Sequence, residues 1–328
     1  MTRLLFPRGL IDLALCAIML VACPPAALSW PERPVRLIVP APAGSSLDVV
    51  ARSLSEKLWP VWERPVIVEN KPGAGGLIGV DVAAKSPPDG YVLALGFNGP
   101  LAFAPFLYSA MPYDPTRDLA PVILASSQPN VLAMTAVLPA RSVRSLVAWA
   151  KSQPARSLSY ASIGSGSSSH LAMELFVRQA GLAAMHVPYQ GSPAAALSVA
   201  RGETHMLFAV ASGVMPQVQS GQVRLLAVTS AQRFRGLEHL PTLSESGFPG
   251  FVAEAWNGLV VASATPASVV ERINADAARV LSSPEVRTRF RALGMAPGGG
   301  TPGAFRTLIE SEIARGGPVI RAANIRSE

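Results

Sequence analysis

The stretch Val35-Arg-Leu-Ile-Val-Pro-Ala-Pro-Ala-Gly-Ser-Ser-Leu-Asp-Val-Val-Ala-Arg52 carries the reading of the whole chain. Val35 to Val39 is a short apolar, β-branched run stopped by Pro40, the pattern of a buried strand. The chain then turns through Pro40, Pro42 and Gly44 and restarts as a helix at Ser45 or Ser46. Leu47, Val50, Ala51 and Leu54 fall on one side of that helix, and Arg52, Glu56 and Lys57 on the other. Ser45 followed three residues later by Asp48 resembles a capping box. A strand therefore hands over to a helix N-terminus through a loop of small residues. Such a terminus offers unpaired N–H groups and the positive end of a dipole, and so favours an anion.

The alternation continues outward. Residues 66–69 read as a second strand, 75–85 as a helix and 91–95 as a third strand, entered through the turn Pro87-Pro88-Asp89-Gly90. Strand–helix alternation at these lengths predicts a parallel sheet with helices on both faces. In the 2-1-3 order the ligand crevice falls between the loop 40–46 and the loop Gly96-Phe97-Asn98-Gly99. Residues 121–126 and 130–135 read as extended, with the crossing into a second lobe between them. That lobe repeats the pattern, with strands at 158–161, 184–187, 206–208 and 223–228 and helices at 142–151 and 167–179. Ser192-Pro193 is a cap followed by proline at the first helical position. Thr265-Pro266, Ser283-Pro284 and Thr301-Pro302 start three helices of the tail, and residues 258–262 return to the first lobe. The predicted division is a leader at 1–29, a discontinuous first lobe at 30–126 and 229–328, and a second lobe at 127–228.

Composition limits the function. The 328 residues are 49% apolar, enough for two cores, and only 15% charged. Arg3, Arg8 and Asp12 leave with the leader, so 26 basic and 20 acidic residues remain, scattered and without a Lys/Arg run. This suits small anions and argues against nucleic acid as a partner. Arg3 and Arg8 precede the apolar stretch 10–22, the layout of an export signal too short to span a bilayer as a mature helix. Ala27-Leu28-Ser29 fits cleavage before Trp30, while Leu20-Val21-Ala22-Cys23 resembles a lipobox that would leave a lipid-anchored Cys23. Both cysteines, Cys16 and Cys23, lie in this leader, so the exported body has no disulfide or thiol chemistry.

Two further glycine-rich turns follow strands. Gly73-Ala-Gly-Gly-Leu-Ile-Gly79 puts Ile78 where a dinucleotide fingerprint needs its third glycine, so it reads as a tight turn. Gly164-Ser-Gly-Ser-Ser-Ser-His170 is not a Gly-x-Ser-x-Gly elbow and supports no serine hydrolase, but its hydroxyls and N–H groups can cradle an oxyanion. His170 reads equally as a ligand contact or as a helix-start residue. His186, His205 and His239 lack metal-ligand spacing, and no metal or cofactor is expected. Asp48 reads as a cap, with no second carboxylate beside it to make a catalytic pair.

Several stretches in order are similar to the periplasmic solute-binding proteins of the tripartite tricarboxylate transporter family, also called Bug proteins. They are Trp30-Pro-Glu-Arg-Pro-Val-Arg-Leu-Ile-Val-Pro40, Pro42-Ala-Gly-Ser-Ser-Leu-Asp48, Val68-Glu-Asn-Lys-Pro-Gly-Ala-Gly-Gly76, Pro112-Tyr-Asp-Pro115, Gly164 through Leu171, Val187-Pro-Tyr-Gln-Gly191 and Leu226-Ala-Val-Thr-Ser-Ala231. The resemblance implies a two-lobed Venus-flytrap fold (type II), each lobe a mostly parallel sheet flanked by helices. It implies capture of a carboxylated solute through backbone amides, hydroxyls and water, and delivery to membrane permease subunits. A monomeric, non-enzymatic protein is expected; a periplasmic sensor that presents the solute to a signalling partner is the alternative. Carried over, the ligand residues are Ala43, Gly44, Ser45 and Asp48, then Asn98 and Gly99, then Gly164, Ser165, Ser168 and His170, with Tyr189 and Ser192. Two departures stand out: Ser45 replaces a usual glycine, and Ala209 follows Phe208 where many members carry Asp. The second counts against an amino-bearing ligand.

Overall fold

β1 (Val35–Val39) lies between β2 (Val66–Asn70) and β3 (Val92–Phe97), and both run parallel to it, in the 2-1-3 order. The structure, a computed structural model, describes residues 30–154, 157–323 and 325–326; the leader with Cys16 and Cys23 lies outside the described residues. The helix Ser46–Trp62 follows β1 and buries Val50, Ala51, Leu54, Leu58 and Trp62, the stripe its apolar spacing dictates. Ser45 caps it, accepting the Asp48 N–H.

The second half repeats the arrangement. β5 (Leu158–Ser162) is parallel to β6 (Ala184–Pro188) on one side and to β7 (Met206–Val210) on the other. Helices Ser168–Ala180 and Ser192–Ala200 follow β5 and β6. The two parallel blocks are joined by β4 (Leu119–Thr135) and β9 (Glu254–Ala262) in the order β2-β1-β3-β9-β4-β7-β5-β6. These central strands run antiparallel to their neighbours, so the parallel blocks expected from the sequence are joined into one mixed sheet. The physical reason is connectivity: β4 carries the chain out of the first block and β9 brings it back after the whole second block, so the two run in opposite directions.

β4 is one 17-residue strand, not the two extended pieces its sequence predicts. Residues 119–129 pair with β9, and residues 130–134 with β7. Its other edge pairs first with β10 (Ala296–Gly299) and then with β8 (Val223–Val228). At the change of partners Asn130, Thr229 and Ala253 form a clasp. Thr229 Oγ1 accepts the Asn130 N–H at 2.8 Å and donates to Ala253 O at 2.6 Å, while Asn130 Nδ2 donates to the same carbonyl at 3.0 Å.

Apolar clusters cover the sheet. One packs Ile38, Val80, Leu101, Phe103, Val260 and Phe305 behind the first block. A second packs Phe176, Phe208, Phe248 and Phe251 with Tyr160 against the second block. Residues 229–253, expected in the first lobe, therefore supply Leu243, Phe248 and Phe251 to the cluster that also holds Phe176 and Phe208.

Replacing Thr229 by Val keeps the volume and removes both hydrogen bonds of a fully buried hydroxyl. Denaturant unfolding should show a loss of about 1–3 kcal/mol, the cost of leaving buried partners short. An unchanged midpoint would contradict the clasp.

Candidate functional site

A cavity of about 400 Å³ opens where the parallel strands of both blocks end. In open α/β sheets ligands bind outside the carboxyl ends of the strands, and here two such ends face one another. The first block contributes Pro42, Ser45, Ser46 and Leu47 after β1, Pro72 to Gly76 after β2, and Phe97 and Asn98 at the end of β3. The second contributes Gly164, Ser165, Ser167 and Ser168 after β5 and Tyr189 to Ser192 after β6. Gln128, Trp256 and Asn257 of the central strands close the back. Among these described lining residues there is no Lys, Arg, His, Asp or Glu.

The donors that face such a cavity come from helix starts. Ser45 takes the Asp48 N–H on its hydroxyl and the Val49 N–H on its carbonyl, so Ser46 and Leu47 keep N–H groups without a partner among the described residues. Ser167 does the same for His170 and Leu171, leaving Ser168 and Ser169. Gly191 accepts only from Ala195, so the Ser192 start is open as well. Those are the orphan donors of any α-helix, and three sets of them meet at one cavity.

The turn after β2 adds another set. Gly73, Ala74, Gly75 and Gly76 all have positive φ, +127°, +46°, +61° and +97°. Ala74 adopts this left-handed conformation without being glycine. Gly75 also sits against the other block: a Cβ would stand 2.9 Å from Ser165 O there, and 3.2 Å from the Tyr108 hydroxyl of its own block. The turn that reads in sequence as a bare strand-to-helix connection is thus part of the cavity wall; its run of three glycines was the available signal.

Of the twelve residues carried over from sequence, Ser45, Asn98, Gly164, Ser165, Ser168, Tyr189 and Ser192 line this cavity. Ala43, Gly44, Asp48, Gly99 and His170 do not. Ala43 and Gly44 are exposed beside it, and the Gly44 N–H is spent on Asp48 Oδ2 at 3.0 Å. Asp48 is buried behind the helix start, where Arg52 Nε at 2.9 Å and Asn70 Nδ2 at 3.0 Å also donate to it. Burial would raise its carboxyl pKa, but the hydrogen bonds from Arg52, Gly44 and Asn70 outweigh that and hold it below the usual carboxylate range. Asp48 is therefore a clamp on the loop, and Arg52 is its partner. Gly99 is buried, outside the lining. Asn98 lines the wall with both ends of its amide already used, accepting from Trp256 N at 3.2 Å and donating to Glu254 O at 3.2 Å. Ala209 is fully buried in a core cluster, and the neighbouring Val210 is what reaches the cavity.

His170 lies beneath the Gly164 turn, 4% exposed, and its Nδ1 accepts the Gly166 N–H at 3.1 Å. Its ring stacks on His186 with centroids 3.8 Å apart. Burial pulls His170 down to about 3, with the neighbouring His186 adding to the effect, and burial pulls His186 to about 4.

Helix starts from two sheet blocks meet around one cavity, and solved structures similar in fold include the periplasmic binding protein BugD (31% identity, TM-score 0.85, 91% of this chain and 100% of that one). The chain belongs to the tripartite tricarboxylate transporter receptor family, whose family model matches residues 49–325. It is 35% identical to protein BugT of Bordetella pertussis over 98% of this chain and 97% of that one. Among solved structures it is similar to the Rhodopseudomonas palustris protein Rpa4515 with adipate (35% identity, TM-score 0.87, 90% of this chain and 99% of that one). It is also similar to MatC of the same organism with bound malate (28% identity, TM-score 0.82, 89% of this chain and 100% of that one).

Two outcomes follow from this geometry. Gly75→Ala should push the two loops apart and weaken binding of a cavity ligand at least tenfold, about 1.4 kcal/mol; calorimetry with adipate and malate reads it, and wild-type affinity would contradict the contact. The histidine pair should also make folding acid-sensitive. Above pH 6.5 both rings are neutral folded and unfolded, and their burial has no proton cost. Below it the unfolded chain takes up protons that the folded one refuses, so stability falls as pH drops from 6.5 toward 4. Thermal melting across that range checks this, and an unchanged midpoint would contradict it.

Proposed function

We propose that this chain is a periplasmic receptor that captures a small carboxylated solute and presents it to the membrane permease subunits of a tripartite tricarboxylate transporter. The observation that carries the reading is the convergence of unspent helix-start N–H groups from both sheet blocks on a cavity without a charged residue. Such donors suit a carboxylate, and the absence of a lining cation among the described residues makes the binding depend on backbone approach. The adipate and malate of the solved relatives support the ligand class.

On this reading the two blocks are lobes, and the crossings fall at 129/130 and 253/254. The change of strand partners within β4 supports the first. The packing of Phe248 and Phe251 with Phe176 supports the second, in place of the expected 228/229. The leader at 1–29 belongs to the same proposal, with either Trp30 or a lipid-bearing Cys23 as the mature start, and the mature protein acts as a monomer.

The test is calorimetry with a panel of carboxylates that includes adipate and malate, together with small-angle scattering. Binding should be accompanied by a smaller radius of gyration, since a ligand shifts an equilibrium by its differential affinity for the closed form. Ser168→Ala should cost about 0.5–1.5 kcal/mol if its hydroxyl makes one ordinary hydrogen bond to the solute. Absence of binding to every carboxylate in the panel would refute the proposal.

A further inference from the structure

We propose that His170 is a positioning residue: as a neutral hydrogen-bond acceptor it fixes the turn 164–167 for the ligand, and charging it releases the ligand. The inference rests on the cavity being the solute site.

His170 touches no cavity surface, yet it determines where the wall stands. Gly166 has φ +74°, and its N–H goes to His170 Nδ1 at 3.1 Å. An acceptor Nδ1 means that the ring proton sits on Nε2. The turn is held from a second point as well. Ser162 Oγ accepts the Gly164 N–H at 3.3 Å and is itself bonded to His186 Nε2 at 2.7 Å. Two stacked imidazoles thus set the two glycine N–H groups of the loop that carries Ser165 and Ser168.

The titratable groups facing His170 are few. His186 of β6 stacks on it, and Tyr160 of β5 lies 6.3 Å away with its hydroxyl donated to Glu174 of the same helix as His170. No carboxylate among these is bonded to His170, so nothing there welcomes a proton. A proton on Nδ1 would set two N–H groups against each other and break the Gly166 bond. The naive expectation is that a histidinium near an anion strengthens binding. Here the geometry predicts the reverse, because the charge acts on the loop and not on the ligand.

The experiment compares wild type, His170→Asn and His170→Leu by calorimetry with adipate from pH 7 to pH 3. The amide Oδ1 that H170N introduces would replace the acceptor without titrating, and taking the ratio to wild type at each pH removes the titration of adipate itself. H170N should bind within about threefold of wild type at pH 7, and H170L at least tenfold more weakly. On acidification wild type should lose affinity about twofold relative to H170N by pH 3, where half of its His170 rings are charged, with little change above pH 4. Equal pH profiles for wild type and H170N, or H170L binding like wild type, would overturn the proposal. If wild type binds no adipate, the solute reading is what fails for that ligand. The loop then decides alone: the hydrogen-exchange protection of the Gly166 amide should fall with acid in wild type and hold in H170N, and equal protection in both would overturn it.

Discussion

An α-helix cannot satisfy its own first N–H groups, and the whole site is an arrangement of that shortage. Three helices begin after strand ends that point at one cavity, two capped by serine and one by glycine without a side-chain bond, and each start leaves some donors unspent. Ser45 and Ser167 satisfy the third N–H of their helices and leave the first two. The surplus charge of the loops is cancelled at a distance. The buried Asp48 carboxylate takes hydrogen bonds from Gly44, Arg52 and Asn70, so Arg52 is already ion-paired. Unspent N–H groups without a lining cation among the described residues are the arrangement that suits a carboxylate held by dipoles and hydrogen bonds.

The central strands make that arrangement two-sided. β4 and β9 pair with each other and with both parallel blocks, and the Asn130, Thr229 and Ala253 clasp sits where the pairing changes sides. Gln128 and Asn257, on these strands, form the back of the cavity. The opposing loops meet at the rim, where Gly75 faces Ser165 and Gly191 faces Pro42.

Much of this was legible in the sequence because the signals are local. The β-branched run 35–39, the Ser45 cap and the serine-rich helix start at 167 each depend on neighbours a few residues away, and each stands where its spacing puts it. What stayed hidden depends on partners far along the chain. β4 reads as the two pieces 121–126 and 130–135, with Pro129 in the gap between them; it is continuous because its register shifts beside Pro121 and its partners change after Pro129. Gly44 reads as an anion donor, and its N–H is consumed by a carboxylate whose direction no spacing reveals. His170 sits in a motif of ligand contacts and turns inward, since a ring stacked on His186 from another strand holds it there. The turn at Gly73 does not match a dinucleotide fingerprint, and its importance lies instead in its row of positive φ values, which spacing does not show.

The central claim, that neutral donors from both blocks hold an anion, is tested most directly by a high-resolution crystal structure with adipate bound. A carboxylate of the ligand should lie within about 2.7–3.2 Å of backbone nitrogens from at least two different helix starts, one on each side of the cavity. A carboxylate paired instead with an arginine or lysine side chain, or held by one block alone, would contradict the account.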